Sequence, residues 1–388
     1  SRYTTINFVA RPAEREAIDA IVAERQPQIT HLTLSQKLYG VQAKLDALQA
    51  ELRERKSRVQ ESSKFHRTLT SAIRRLPPEI LGEIFLYCLP EYPYITQCHR
   101  YTPLVLTWVC QRWRSIAMAT PQLWSSLAMT LHKTTKADYR LQCETWLARA
   151  KDIPLILSIR SSGSIDRTLC PLGWLRSLVA RCRDLHWGGA LLEGLFTDSS
   201  AFDLLQRLDL NVSFAFTFRG IDIPSNANKL RSVRLSVPYD VASLDGIALP
   251  WAQLTKIEIN GPGLPVAGIL RLLEICPRLH NARFFMPNKP RNSAVTPAIN
   301  HSLKLLDIRL RKAGQAKLLF DASVFPSLEK LDIWFSYCEV EEWPHAEFTS
   351  FVTRSGCSLR MMTVFNNQSA GGHQLEYQAL LPSCTFKL

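Results

Sequence analysis

Apolar positions along the chain follow three different rules in turn. From Leu34 they fall at Leu34, Leu38, Val41, Leu45, Leu48, Leu52 and Val59, in alternate steps of four and three with Arg55 in the one skipped place. That period holds a seam on one side of an under-wound helix and predicts that the seam is buried against another helix. Lys44, Asp46, Gln49, Glu51 and Arg53 keep the remaining faces wet. Two partners satisfy the pattern: a second copy in a coiled coil, or residues 13–25 in an intrachain hairpin, with Pro27 separating the helical stretches. Next, Ile80, Leu81, Ile84, Phe85, Cys88 and Leu89 recur at helical spacing behind Pro77 and Pro78, where a helix start tolerates a missing N–H. A second amphipathic helix is predicted to carry Val105, Val109, Trp113 and Ile116.

Beyond residue 200 the rule changes to L-x-x-L-x-L. Instances begin at Leu205, Leu230, Leu254, Leu279, Leu303, Leu328 and Leu359, the first six starting 24 or 25 residues apart. Cys182, Leu185 and Trp187 fit the same template, and residues 154–159 read as a strand that opens the series, which is placed from about residue 125. Intervening segments such as Val266 to Cys276 and Trp343 to Thr353 have helical periodicity. One strand and one return per period resembles a leucine-rich-repeat solenoid, in which neighbours stack to share a core. The Asn or Cys that usually follows the strand in that family is not regularly present, so the repeats are irregular.

Side chains alternate along a strand, so the residues between the buried apolar positions point outward. The middle outward row runs Asp209, Arg234, Glu258, Arg283, Asp307, Asp332, which lateral pairing between neighbouring strands explains without a ligand. The next row runs Asn211, Ser236, Asn260, Phe285, Arg309, Trp334, Phe365. Phe285, Arg309, Trp334 and Phe365 are of the types in which binding energy concentrates, and they form the candidate target-binding patch. The alternative is that a tail carrying Tyr377, Leu380, Leu381 and Phe386 folds over them as a cap.

The segment ahead of the repeats reads Leu76-Pro77-Pro78-Glu79-Ile80-Leu81, then Val109-Cys110-Gln111-Arg112-Trp113-Arg114-Ser115-Ile116-Ala117, then Pro121-Gln122-Leu123-Trp124. In that order these stretches resemble the F-box, in particular the F-box-like modules of large fungal families. The resemblance implies docking to the Skp-type adaptor of a cullin-RING ubiquitin ligase. Its implied contacts are Leu76, Pro77, Ile80, Leu81 and Ile84 on the first helix and Val109, Cys110, Trp113 and Arg114 on the second. An aromatic-rich insertion, Glu91 to Tyr101, departs from a compact F-box. The competing arrangement has Ile84, Phe85, Trp113 and Trp124 as core that packs the module onto its neighbours.

The expected architecture is α/β: a helical or coiled-coil segment over residues 1–72, a small helical F-box-like module over 73–124, and an irregular leucine-rich-repeat solenoid over 125–388. The implied role is that of a ligase substrate-recognition subunit binding a protein target, with a repeat scaffold lacking ligase function as the alternative. Composition narrows the field. No apolar run approaches the roughly 20 residues of a membrane span. Ser1 rather than Met at the start suggests a trimmed chain, and no basic region followed by an apolar run signals secretion. The ten cysteines are dispersed without a C-x-x-C pair or clustered histidines, so neither a zinc site nor a disulfide framework is signalled, and a cytoplasmic or nuclear setting is expected. The net charge of +13 is partly local, in a run that includes Arg53, Arg55, Lys56, Arg58, Lys64 and Arg67. No nucleic-acid motif accompanies it, and a solvated helix face accounts for it. No nucleophile elbow, zinc-protease, phosphate-loop or dinucleotide motif is present, so neither catalysis nor a cofactor is expected.

Overall fold

The computed structural model describes residues 9–90, 94–95, 102–132, 137–162, 171–189, 195, 202–211, 221–222, 227–236, 247–261, 264–285, 295–336 and 342–387. The chain divides into two compact units, residues 1–77 and 78–388. The short helices from residue 78 onward and the sheet therefore belong to one unit.

The first unit is dominated by one helix of 58 residues, α1 (Pro12–Leu69), followed by a 3₁₀ turn over Ala72–Arg75. Pro27 lies inside α1, which overturns the hairpin expectation: residues 13–25 precede the seam on the same helix and cannot fold back on it. Proline removes one N–H and crowds the preceding turn, but its fixed φ is helical and a long helix absorbs the defect locally. Thr30 and Thr33 sit just beyond it, their hydroxyls donating to the Gln26 and Ile29 carbonyls at 2.9 and 2.8 Å. The seam residues Leu34 to Val59 are 47–70% exposed.

The second unit opens with three short helices, α2 (Pro78–Tyr87), α3 (Leu104–Val109) and α4 (Gln111–Ala119), and a 3₁₀ turn over Pro121–Trp124. The second amphipathic helix expected from sequence is thus two helices. Cys110 breaks it, adopting an extended backbone and capping α4 by accepting a hydrogen bond from the Trp113 N–H on its sulfur at 3.5 Å. Gly82 lets α2 approach Thr120, whose Oγ1 would lie 3.3 Å from any added Cβ. Trp124 is fully buried, donates its indole N–H to the Ala117 carbonyl at 2.8 Å and meets Trp146 edge-on at 5.0 Å. Trp146 belongs to α5 (Ala137–Ala148).

Eleven parallel strands follow in one sheet, ordered as in the chain. They are β1 (Ser126–His132), β2 (Leu155–Ser162), β3 (Cys182–Gly188), β4 (Arg207–Asn211), β5 (Ser232–Ser236) and β6 (Lys256–Asn260). The series continues with β7 (Asn281–Phe285), β8 (Leu305–Leu310), β9 (Lys330–Phe335), β10 (Met361–Phe365) and β11 (Thr385–Lys387). Parallel neighbours need a crossover between strands, which the intervening segments supply. Those crossovers include α6 (Leu172–Ala180), α7 (Val266–Ile275), α8 (Ala313–Asp321) and α9 (His345–Ser355), with α10 (Gln374–Leu380) before the last strand.

The strand register is uniform from β4 to β10. Leu208, Val233, Ile257, Ala282, Leu306, Leu331 and Met362 are paired strand to strand, and so are Leu210, Leu235, Ile259, Phe284, Ile308, Ile333 and Val364. All are buried, as are the leucines that open each instance. Leu270 and Leu273 of α7, Leu319 and Phe320 of α8 and Phe348 and Phe351 of α9 are buried as well. Asn300, also buried, braces one return: its amide donates to the Leu273 and Cys276 carbonyls at 2.7 and 2.9 Å, and its oxygen accepts from the Ser302 and Leu303 N–H groups, both at 3.0 Å. A single mid-return Asn escapes a pattern search that looks for one behind every strand.

Candidate interaction surfaces

In the helical module, α2 has two apolar stripes one residue apart. Leu81 and Phe85 are fully buried, and Phe85 lies 4.9 Å from the Trp113 ring. Ile80 and Ile84 are 49% and 38% exposed, and Val109 at the end of α3 is 55% exposed. Cys110 and Arg114 are exposed and Trp113 is half-buried. Leu81 is therefore core rather than surface, because a helix this short turns every fourth residue to the same side and Leu81 shares its side with Phe85. Leu76, half-buried, and Pro77, exposed, fall in the first unit. A cavity of about 630 Å³ between α2 and α4 is lined by Ile80, Glu83, Leu86, Ser115, Ala119 and their neighbours. Of the aromatic insertion, Glu91 to Pro93 and residues 96–101 lie outside the described residues. Tyr94 and Ile95 are described, and Ile95 pairs with the outer edge of β1, its carbonyl accepting from the Ala128 N–H at 2.6 Å.

On the outward face of the sheet, the middle row is a ladder of ion pairs from Asp209 to Asp307, with His186 at its head. His186 meets Asp209 at 3.1 Å, Arg234 bridges Asp209 and Glu258 at 3.3 and 3.0 Å, and Arg283 bridges Glu258 and Asp307 at 3.3 and 2.6 Å. Burial opposes ionisation of Glu258, but hydrogen bonds from Asn260 and Arg234 and the charges of Arg234 and Arg283 outweigh it and hold the carboxyl below its ordinary range. Arg207, clamping Asp184 with two hydrogen bonds at 2.9 and 2.7 Å, is raised above its usual value mainly by that clamp. Beyond Arg283 the alternation fails, because Asp307 is registered opposite Asp332. Lys330 takes up Asp332 at 2.8 Å, while Asp307 Oδ1 is buried without a hydrogen-bond partner among the described residues. A groove of about 490 Å³ lies over the first half of this face, walled by Tyr94, His186, Arg207, Arg234, Glu258 and Asn260 among others.

The next row brings the four predicted patch residues together. Phe285, Arg309, Trp334 and Phe365 occupy registered positions on β7 to β10. The Arg309 guanidinium lies 4.5 Å from the centre of the Phe285 ring and 5.6 Å from that of Trp334. Trp334 in turn stacks on Phe365, with ring centres 3.5 Å apart and planes at 16°. The three rings are half-buried and Arg309 is exposed. The tail takes a different place. β11 pairs with Met361 to Thr363, setting Phe386 opposite the inward-facing Met362, and Phe386 stacks on Tyr377 at 6.1 Å. Tyr377 packs edge-on against Phe348 of α9 at 5.1 Å. Because side chains alternate along a strand, Phe386 and Phe365 lie on opposite faces.

The histidines, scattered in sequence, are not all apart in space. Among the described residues His345, His373 and Glu376 place potential metal-ligating atoms within 4.8 Å of one another. Among the described residues no helix is long and apolar enough to cross a membrane. Compared with known proteins, the chain matches no family model and no curated protein.

Proposed function

We propose that this chain is the substrate-recognition subunit of a cullin-RING ubiquitin ligase. An F-box-like module docks the Skp-type adaptor, and an irregular leucine-rich-repeat solenoid binds a protein target through Phe285, Arg309, Trp334 and Phe365. The chain itself acts by binding and not by catalysis, in the cytoplasm or nucleus. One observation carries the reading: the module keeps a complete inner core of Leu81 and Phe85 while leaving Ile80, Ile84 and Val109 exposed beside it. A helix that needed only to fold would not present a second apolar stripe to water, whereas helix-in-groove recognition uses one. A step of 24 or 25 residues between the parallel strands from β4 to β9, with a shared core, supports the solenoid.

A scaffold with no ligase role draws on a different observation. Trp124 and Ile95 tie the segment to the start of the sheet, as an amino-terminal cap would. Co-purification of the chain with a Skp-type adaptor separates the two. Ile84→Asp is expected to abolish the complex while the variant still melts cooperatively, because Ile84 lies outside the module's core. Failure of the well-folded wild type to hold the adaptor would leave the scaffold reading in place.

A further inference from the structure

We propose that His345, His373 and Glu376 bind a divalent transition-metal ion of the zinc class, and that the ion ties α10 to α9. His345 is the first residue of α9, His373 immediately precedes α10, and Glu376 lies in the first turn of α10. His345 Nε2 is 2.9 Å from one Glu376 oxygen and His373 Nδ1 is 3.6 Å from the other. Two imidazoles and one carboxylate make a nitrogen-rich set that favours zinc over magnesium or calcium, and three protein ligands leave a fourth position open.

The imidazole rings are cofacial, with centres 3.8 Å apart and planes at 15°. An imidazole binds a metal through a lone pair in its ring plane, so the His373 ring turns out of this stack when the ion enters. The further observation that points to an ion is the support behind His345. Its Nδ1 is 2.8 Å from the Tyr377 hydroxyl, which also accepts a hydrogen bond from the Trp343 indole N–H at 2.8 Å. Trp343 and Tyr377 are both buried, so the hydroxyl is fixed. A ligating histidine almost always donates its other N–H to such a partner, which leaves the lone pair of Nε2 directed at the ion. A cavity of about 700 Å³ opens beside the two histidines and gives the fourth position room for water or an exogenous ligand. Glu347, on the same cavity wall, is already paired with Lys317 at 2.6 Å and does not compete.

The test uses the full chain, stripped with a chelator and titrated with Co²⁺ as a spectroscopic stand-in for Zn²⁺. One equivalent is expected to produce visible ligand-field absorption that Zn²⁺ displaces, and competition with a chromogenic chelator gives the Zn²⁺ affinity. His373→Ala and Glu376→Gln are each expected to weaken binding by about tenfold or more, and Tyr377→Phe by about tenfold through the orientation of His345. Glu376 is largely exposed, so Glu376→Gln serves as the folded control if another variant unfolds. No stoichiometric absorption from the wild type overturns the site. So does a thiolate-to-cobalt charge-transfer band that persists in His373→Ala, which would place the metal on cysteines.

Discussion

The two halves of the sheet's outward face share backbone and register but carry different side chains. Over β3 to β6 the middle row is a paired ladder, and the row beside it, Asn211, Ser236 and Asn260, is small and polar. Over β7 to β10 the ladder ends in the opposed carboxylates of Asp307 and Asp332, and the row beside it becomes Phe285, Arg309, Trp334 and Phe365. Like charges on facing strands destabilise a sheet, and half-exposed aromatics gain less than buried ones. The second half thus gives up stability that the first half keeps. The inward rows are equally buried in both, so the difference is confined to the face a partner could reach.

The comparison breaks first if the two halves do not share one core. Leu235→Ala and Leu306→Ala remove fully packed leucines from the first and second halves, and each is expected to cost about 2–5 kcal/mol by urea denaturation. A much smaller cost for Leu306→Ala would mean that the second half is loosely packed and that its aromatics serve as core. The ladder offers a smaller effect with a pH signature. Glu258→Gln is expected to cost about 1–2 kcal/mol near neutral pH, reduced from a fully buried pair because Arg234 and Arg283 are half-exposed. Since the folded protein holds the Glu258 carboxyl below its unfolded value, its contribution is present above the ordinary carboxylate pKa and is lost as pH falls through the lowered one. Thermal melts from pH 7 downward should therefore show the gap between wild type and variant close on the acid side. A gap independent of pH would assign the loss to packing.

Much of this was legible in the sequence, for physical reasons. A side chain fully buried at the same register position of every strand has to be apolar in each, so Leu208, Leu306 and their counterparts announce themselves by spacing alone. The outward rows follow from strand alternation, and the meeting of Phe285, Arg309, Trp334 and Phe365 needs only a common register. What stayed hidden depends on single residues. Pro27 reads as a break because proline usually ends helices, yet α1 runs through it. Leu81 and Ile84 look alike in an apolar helix, and only the packing of the side that carries Phe85, which meets Trp113, decides which faces inward. The Cys110 break is invisible because cysteine is an uncommon helix cap. His345 and His373 lie 28 positions apart, on the segments before and after β10, whose approach only the fold sets.

The smallest expected effect is the most informative about the patch. A double-mutant cycle of Arg309→Ala and Trp334→Ala, read by denaturant unfolding, isolates the contact between the guanidinium and the ring from everything else either side chain does. For a cation near an aromatic face with solvent on one side, the coupling should be about 0.5–1 kcal/mol. Each single replacement should cost well under the Leu306→Ala value, since the guanidinium is exposed and the indole half-buried. A coupling of that size with small single costs describes a stack that orders itself without holding the sheet together, leaving Arg309 and the ring edges available to a partner. Costs for Trp334→Ala that match Leu306→Ala would instead make the stack part of the core, and the target-binding assignment of these four residues would fall with them.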